Sequence, residues 1–233
     1  IGGVFSQAPG GKGANQAVAA ARAGGKVAFV GRVGTDALGD EALAGYERDG
    51  IDVSRVIRDP EAHSGVALIF VDAKGENSIA VASGANARVS EADVEAARDI
   101  IRKASVLLVQ LEIPVEAVRK ALGIAAEYGV RTILNPAPAC PLDDDLLKLV
   151  SIITPNETEA ELLTGKKVAD VRDAEKAAGA LIKRGAGAAI LTLGSRGSFA
   201  YSTEFRGATP CFPAMCVDTT AAGDVFNGAL AVA

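Results

Sequence analysis

The sequence of 233 residues has no tryptophan and few histidines, cysteines and aromatic residues. His63 is the only histidine, which argues against a histidine-rich metal centre and a Ser-His-Asp mechanism. The polar residues around it, 59–64, predict a solvated turn. The three cysteines, Cys140, Cys211 and Cys216, lack metal-ligand spacing. They predict reduced thiols in a cytoplasmic protein.

Long apolar runs and strong net charge are also missing. No run of 18 apolar residues predicts a transmembrane helix, and no signal peptide is visible. The net charge of −5 argues against nucleic-acid or membrane partners, although it is compatible with a local nucleotide site. The chain begins at Ile1 and stops inside the apolar helical pattern 231–233, so we expect a sequence truncated at both ends.

Apolar runs alternate with amphipathic stretches along most of the chain. This alternation predicts an α/β fold, with a mainly parallel sheet flanked by helices in a single domain over 1–233. The predicted strands are 27–31, 106–111, 132–134, 152–154 and 188–193. The predicted helices are 38–49, 91–103, 115–128 and 174–184. Ser90 followed by Asp93 marks one helix start.

One segment interrupts this alternation. The short runs 64–71 and 77–82, joined through 73–76, predict a β-hairpin. A hairpin inserted into an α/β domain is either a lid over a site or an antiparallel addition to the sheet edge, and the sequence favours neither. We describe it as a β-lid insertion around 53–83.

A glycine cluster, 10–13, leads directly into an alanine-rich helix, 14–21. Glycines let a backbone approach a ligand closely, and a helix start offers free N–H groups. Lys12 and Asn15 add a positive charge and an amide that can bind hydroxyl groups. The alternative is a turn before a close-packed helix. No Ser or Thr follows Gly11-Lys12, so the motif is not a P-loop.

A second motif, 218–228, places a carboxylate after three small residues at a predicted helix start. The bare N–H groups of Ala221, Ala222 and Gly223, together with the helix dipole, can hold the charge of a transferring phosphoryl group. Asp224 would stand beside this anion hole and could accept a proton from an attacking hydroxyl. Two aspartates that merely cap a helix explain the residues equally well.

Two further motifs follow predicted strands. Asn156 and Glu159, three residues apart, share a helix face and could reach hydrated Mg²⁺, although acidic first turns also form for dipole reasons alone. The turn 194–197 follows a buried strand, where open α/β sheets bind ligands. The same rule points to Glu112, which follows the strand 106–111.

These four motifs, in this order, resemble those of the ribokinase-type (PfkB) carbohydrate kinases over essentially the whole chain. The resemblance implies an ATP-dependent sugar kinase, with ribose as the expected sugar and another sugar or a nucleoside as the alternative. A binding protein without catalysis is a further alternative, against which the retained Asp224 argues. The resemblance also implies that an opening strand and a C-terminal region of the family lie outside this sequence.

The resemblance assigns a role to each motif. The residues implied to line the sugar pocket are Gly11, Lys12, Gly13, Ala14, Asn15 and Glu112. Those implied along the nucleotide are Thr192, Gly194, Ser195, Arg196 and Gly197, with Asn156 and Glu159 in the Mg²⁺–phosphate region. The implied anion hole is Ala221, Ala222 and Gly223, with Asp224 as the base. Asp218 and the Thr220 carbonyl are implied for a K⁺ site, and the hairpin for a lid that supports a homodimer.

Overall fold

The computed structural model describes residues 6–71, 77–215 and 218–233. Its strands are β1 (Ala28–Gly34), β2 (Asp52–Asp59), β3 (Val66–Val71), β4 (Asn77–Ala82), β5 (Val106–Val109), β6 (Arg131–Leu134), β7 (Ile152–Ile153), β8 (Ala188–Thr192), β9 (Ser198–Tyr201) and β10 (Arg206–Thr209). Its α-helices are α1 (Lys12–Arg22), α2 (Ala37–Arg48), α3 (Glu91–Ala96), α4 (Arg98–Ile101), α5 (Val115–Glu127), α6 (Asp144–Leu147), α7 (Glu157–Thr164), α8 (Val171–Lys183) and α9 (Ala222–Leu230). Short 3₁₀ turns cover Gly84–Arg88 and Gly194–Arg196.

The central sheet has six strands in the order β10-β9-β8-β7-β6-β5. Strands β5 to β8 run parallel, whereas β9 and β10 add antiparallel strands at one edge. β1 and β2 form a separate parallel pair. The predicted α/β fold with a mainly parallel sheet is therefore confirmed. The predictions missed β2, β9 and β10; β2 carries charged residues among its apolar ones, and the other two are only four residues long.

Aliphatic side chains form the core between this sheet and its helices. Leu122 of α5, Leu134 of β6, Ile153 of β7 and Leu181 of α8 are fully buried in one cluster. Burying such a side chain contributes about 1.5–3 kcal/mol. This packing fixes the positions of the strands and therefore those of the polar residues that follow them.

The hairpin is confirmed as an antiparallel pair, β3 with β4, whose register runs from Val66 opposite Ala82 to Val71 opposite Asn77. The predicted connection 73–76 lies outside the described residues. The range 53–83 that we gave the lid also takes in most of β2, which pairs in parallel with β1 and not with the hairpin. The hairpin strands themselves are Val66–Val71 and Asn77–Ala82, and the wider range of the lid stays a prediction.

The predicted helix 91–103 is two short helices. Ala97 ends α3 with φ −96° and ψ 5°, outside the helical region, and α4 begins at the next residue. Ser90 and Asp93 form the capping box that the sequence predicts. Within the described parts of the chain, no helix combines the length and apolarity needed to cross a membrane.

Candidate active site

The glycine-rich motif joins the start of α1 to the end of β5. Gly11 caps α1 with φ 95°, a backbone conformation that favours glycine. The N–H of Lys12 then donates to Glu112 Oε2 at 2.7 Å. Glu112 and the motif are thus neighbours, and their shared role in a sugar pocket stays a prediction.

Ala14 differs from its neighbours in the motif. It is buried together with Ala17 and Ala20, at the three-residue spacing of one helix face. Its methyl group therefore packs in the interior, whereas Lys12 and Asn15 stay partly exposed. The polar groups that the motif can offer a sugar come from these two residues and from the backbone.

Asp224 lies in the first turn of α9 and is 6% exposed. Its Oδ2 accepts a hydrogen bond from Asn15 Nδ2 at 2.9 Å, and its Oδ1 accepts one from Gln16 Nε2 at 3.1 Å. The first and second motifs are 209 residues apart in the chain and in direct contact in the fold. The candidate base therefore lies against the candidate sugar motif.

The start of α9 has the features of an anion site. Ala221 caps it with φ 60°, a conformation that costs a non-glycine residue about 1–2 kcal/mol and is typical of functional sites. The Ala222 N–H donates to the Thr219 carbonyl at 3.1 Å. By helix geometry, the N–H groups of Gly223 and Asp224 have no acceptor within the helix. A Cβ placed on Gly223 would meet no atom within 4 Å, so the backbone there is open to a ligand.

Asn156 and Glu159 cap α7 and bind each other. Glu159 Oε2 accepts from the Asn156 N–H at 2.9 Å, its Oε1 accepts from Asn156 Nδ2 at 3.0 Å, and Asn156 Oδ1 accepts from the Glu159 N–H at 2.8 Å. Burial raises the pKa of Glu159, and the charge of Asp224 adds to that rise, whereas the Asn156 N–H and the charge of Lys12 oppose it. A bound cation would relieve this buried negative charge.

The turn after β8 adjoins the capping box. Thr192 forms a parallel bridge with Asn156, and Gly194, Ser195 and Arg196 are exposed. Gly197 has φ 86°, and a Cβ there would approach the Thr209 carbonyl oxygen to 2.0 Å.

Arg196 does not extend freely from this turn. Its Nη2 donates to Glu157 Oε1 at 3.0 Å and its Nη1 to the Ala169 carbonyl, so the side chain is tied to α7 and the segment after it.

Asp218 and Thr220 lie just before α9. The Thr220 N–H donates to Asp218 Oδ1 at 2.8 Å, and this bond lowers the pKa of the Asp218 carboxyl. Both residues are exposed. No group of three or more His, Cys, Asp or Glu side chains in the described residues could hold a metal ion.

The sequence analysis gave no individual role to four buried polar residues around Asp224, namely Gln16, Asn135, Thr154 and Asn227. Two of them had a usable signal: Gln16 follows Asn15 within an apolar helix, and Asn227 is one helical turn after Asp224. A surface cavity of about 450 Å³ lies elsewhere, lined by residues such as Arg131, Lys148 and Gly187, and contains none of the candidate site residues.

The chain is similar in sequence to known ribokinases. The chain is 45% identical to the ribokinase of Haemophilus influenzae over 229 residues, which are 98% of this chain and 75% of that protein. It is 47% identical over 222 residues to a bifunctional ribokinase/ribose-5-phosphate isomerase A of Fructilactobacillus sanfranciscensis. That match covers 95% of this chain and 41% of the relative, so the chain spans less than half of the bifunctional protein.

The fold is similar to that of solved ribokinases. The structure of Arabidopsis thaliana ribokinase complexed with ribose and ATP superposes with a TM-score of 0.87 at 32% identity, covering 96% of this chain and 73% of that one. The profile of the pfkB family carbohydrate kinases matches residues 2–233. The chain therefore belongs to the PfkB family of carbohydrate kinases.

Proposed function

We propose that this protein is an ATP-dependent ribokinase, which converts D-ribose and ATP to D-ribose 5-phosphate and ADP with Asp224 as the general base. The supporting observation is the position of Asp224, at the open start of α9 and in hydrogen-bond contact with Asn15. One carboxylate thus adjoins both the backbone that would hold a phosphoryl group and the motif that would hold the sugar.

The sugar would be held by groups at the start of α1 and the end of β5. Glu112 accepts a hydrogen bond from the Lys12 N–H through Oε2, and a carboxylate has further lone pairs for sugar hydroxyls. Asn15 uses one N–H for Asp224, which leaves its carbonyl oxygen to accept from a hydroxyl. These groups would orient the reacting hydroxyl toward Asp224.

Asp224 would take the proton of that hydroxyl during attack. The hydroxyl oxygen forms a bond to the γ-phosphorus, the bond from that phosphorus to the bridging oxygen breaks, and ADP leaves. ATP supplies the phosphoryl group, and Mg²⁺ held near Glu159 would neutralise part of its negative charge. The N–H groups at the start of α9 would stabilise the equatorial oxygens, because a phosphoryl group beside Asp224 would bring its growing negative charge close to them.

We propose Mg²⁺ near Glu159 and K⁺ near Asp218 and the Thr220 carbonyl. Mg²⁺ commonly keeps several waters and binds through one or two carboxylates plus phosphates, so a single buried carboxylate fits it. The desolvated charge of Glu159 beside Asp224 favours a cation there. The chemistry of the exposed Asp218 carboxylate also suits a cation, although one Oδ1 lone pair is used by Thr220.

We further propose that the hairpin β3–β4 is a lid and that two copies pair through it as a cytoplasmic homodimer. Leu68, Ile69, Phe70 and Val81 of the hairpin are 53–68% exposed. By strand alternation, Leu68 and Phe70 lie on one face of the hairpin and Ile69 and Val81 on the other. Exposed apolar side chains of this kind favour a protein contact. The nucleotide would lie along the turn 192–197, and we expect no nucleic-acid or membrane partner.

A substrate panel tests this function. The full-length protein would be assayed for ADP release with ribose, deoxyribose, fructose and adenosine, each with Mg²⁺-ATP. We expect the highest kcat/KM with ribose. A higher kcat/KM with another acceptor would show that this acceptor, and not ribose, is the preferred substrate. Ligand binding without any turnover would contradict the proposed kinase activity.

A further inference from the structure

A ring of hydrogen bonds adjoins Asp224 and contains four buried side chains that have no assigned role in binding the sugar or the nucleotide. They come from four elements of the fold: α1, the end of β6, the end of β7, and α9. Each is 1–6% exposed; they are Gln16, Asn135, Thr154 and Asn227. Buried polar side chains are costly unless they are bonded, so such a cluster requires an explanation.

The first half of the ring leads from Asp224 to β7. Gln16 Nε2 donates to Asp224 Oδ1 at 3.1 Å and to Asn135 Oδ1 at 3.0 Å. Asn135 Nδ2 donates to the Thr154 carbonyl at 3.2 Å. The side chain of Gln16 thereby links the carboxylate of Asp224 to the ends of two central strands.

The second half returns to the start of α9. Thr154 Oγ1 donates to Asn227 Oδ1 at 2.6 Å, and Asn227 Nδ2 donates to the Gly223 carbonyl at 2.8 Å. Gly223 precedes Asp224 in the chain, so the ring closes on the peptide that carries the carboxylate.

The direction of every bond in the ring is fixed. The carbonyl oxygens of Thr154 and Gly223 only accept, so Asn135 and Asn227 must present their amide nitrogens to them. The amide oxygen of Asn135 then faces Gln16, which must present its nitrogen. That nitrogen has a second proton, and Asp224 Oδ1 receives it. Turning the Gln16 amide over would set its oxygen against two other oxygens.

Gln16 keeps this orientation at a structural cost. Its Oε1 is buried and has no hydrogen-bond partner in the described residues. An apolar side chain of similar size would leave no such atom. A glutamine at this position is therefore explained by the hydrogen bond that its Nε2 donates to Asp224 rather than by packing.

We propose that Gln16 is a positioning residue for Asp224, and that the ring through Asn135, Thr154 and Asn227 holds the Gln16 side chain in place. With Asn15 on Oδ2 and Gln16 on Oδ1, the carboxylate has one donor on each oxygen and a fixed plane. A lone pair then stays aimed at the reacting hydroxyl. This inference rests on the proposed role of Asp224 as the base.

The test compares kcat and KM of the full-length protein in matched variants. We expect Gln16→Met to lower kcat about 10- to 100-fold, the range that misplacement of a catalytic group produces, with both KM values within about threefold. Thr132→Val is the control. Thr132 is also 1% exposed and buries a hydroxyl in β6, but it binds the Leu149 carbonyl, outside the ring. It should keep the kcat of the unchanged protein.

Two further variants separate positioning from general destabilisation. Thr154→Val removes the hydroxyl that binds Asn227 but leaves both hydrogen bonds to Asp224, and it should lower kcat about tenfold. Thr154→Ser keeps the hydroxyl and should therefore keep the kcat of the unchanged protein. In an Asp224→Asn background, Gln16→Met should cause no additional loss of kcat, because Gln16 acts through Asp224.

An unchanged kcat in folded Gln16→Met would overturn the inference, and so would a Gln16→Met loss that persists undiminished in the Asp224→Asn background. Equal kcat values in Thr154→Val and Thr154→Ser would remove the ring from the explanation. Failure of the proposed function would be distinguishable from these outcomes, because the unchanged protein itself would then phosphorylate no sugar.

Discussion

Gly228 of α9 lies directly against the backbone of Gln16 in α1. A Cβ built on Gly228 would be 2.5 Å from the Gln16 carbonyl oxygen and 2.6 Å from the Ala19 Cβ. No real side chain fits there, so the two helices touch only because position 228 is glycine. This contact sets the separation of the helices that carry Asn15 and Asp224.

We therefore expect Gly228→Ala to force α9 away from α1. Overpacking typically costs about 1–3 kcal/mol, and activity should fall as well because Asp224 is on the same helix. Gly123→Ala in the middle of α5 is the matched control, since a Cβ there meets no atom within 4 Å. It should stabilise the protein by about 0.4–1 kcal/mol. Urea unfolding and kcat measure both effects, and a stable, active Gly228→Ala protein would contradict the helix contact.

Asp224→Asn should remove most turnover. A carboxylate can take the hydroxyl proton and an amide cannot, and general bases contribute typically about 10²–10⁴-fold. Affinity for ATP and ribose should stay within a few-fold.

Asp218→Asn is the control for this substitution and should keep partial activity, because Asp218 is exposed and lies before the helix. Both oxygens of Asp224 accept hydrogen bonds, so an amide also sets one donor against another, and melting temperatures must accompany the rates. Retention of more than about a tenth of the turnover by folded Asp224→Asn would show that another group is the base.

Glu112→Ala should weaken ribose binding more than ATP binding. The carboxylate adjoins the Lys12 N–H at the sugar motif, and losing a charged hydrogen-bond partner costs about 1.5–3 kcal/mol. Titration calorimetry with each ligand measures the difference. Glu116→Ala, an exposed position in the first turn of α5, should change neither affinity. A change confined to ATP would place Glu112 at the nucleotide instead.

Turnover should require Mg²⁺ and rise with K⁺. A cation at Asp218 would steady the backbone that leads into α9, so Asp218→Asn should reduce the response to K⁺. The measurement is the rate in K⁺ compared with the rate in a bulky organic cation. Equal rates of the unchanged protein in the two salts would argue against the site.

Asp36 should contribute stability that depends on pH. Its carboxylate caps α2 and accepts bonds from the Ser64 N–H, the Ser64 hydroxyl and the Gly39 N–H. These bonds, with Ser64 first, lower its pKa to about 2. Because the folded pKa lies below the ordinary value of 3.8, the contribution is present above that value and is lost as pH falls toward about 2.

Asp36→Ala should cost about 2 kcal/mol at neutral pH, the upper end for a helix cap. Asp170→Ala, which removes the cap of α8 and only one N–H bond, should cost about 1 kcal/mol. Chemical unfolding between pH 2 and pH 7 compares them. An Asp36→Ala effect that is equally large at pH 2 would contradict the role of the ionised form.

Local sequence patterns predicted much of the fold and of the candidate site. The alternation of apolar runs predicted the parallel strands β5 to β8 within a few residues, because a buried strand needs a continuous apolar run. The capping residues Ser90 and Asp93 predicted the start of α3, since a helix start must satisfy its N–H groups. Strands β9 and β10 were not predicted because strands of only four residues have little pattern of their own.

The sequence by itself determined the elements and the chemistry available at their ends: the glycine start of α1, the small-residue start of α9, and the carboxylates of Glu112 and Asp224. Only the tertiary structure decided which of these groups meet. Gln16 and Asp224 are 208 residues apart, and nothing local to either predicts their bond. Hydrogen-bond partners across a fold depend on how helices and strand ends pack. Here Gly228, which has no side chain, lets α9 approach α1 closely enough for Gln16 to reach Asp224.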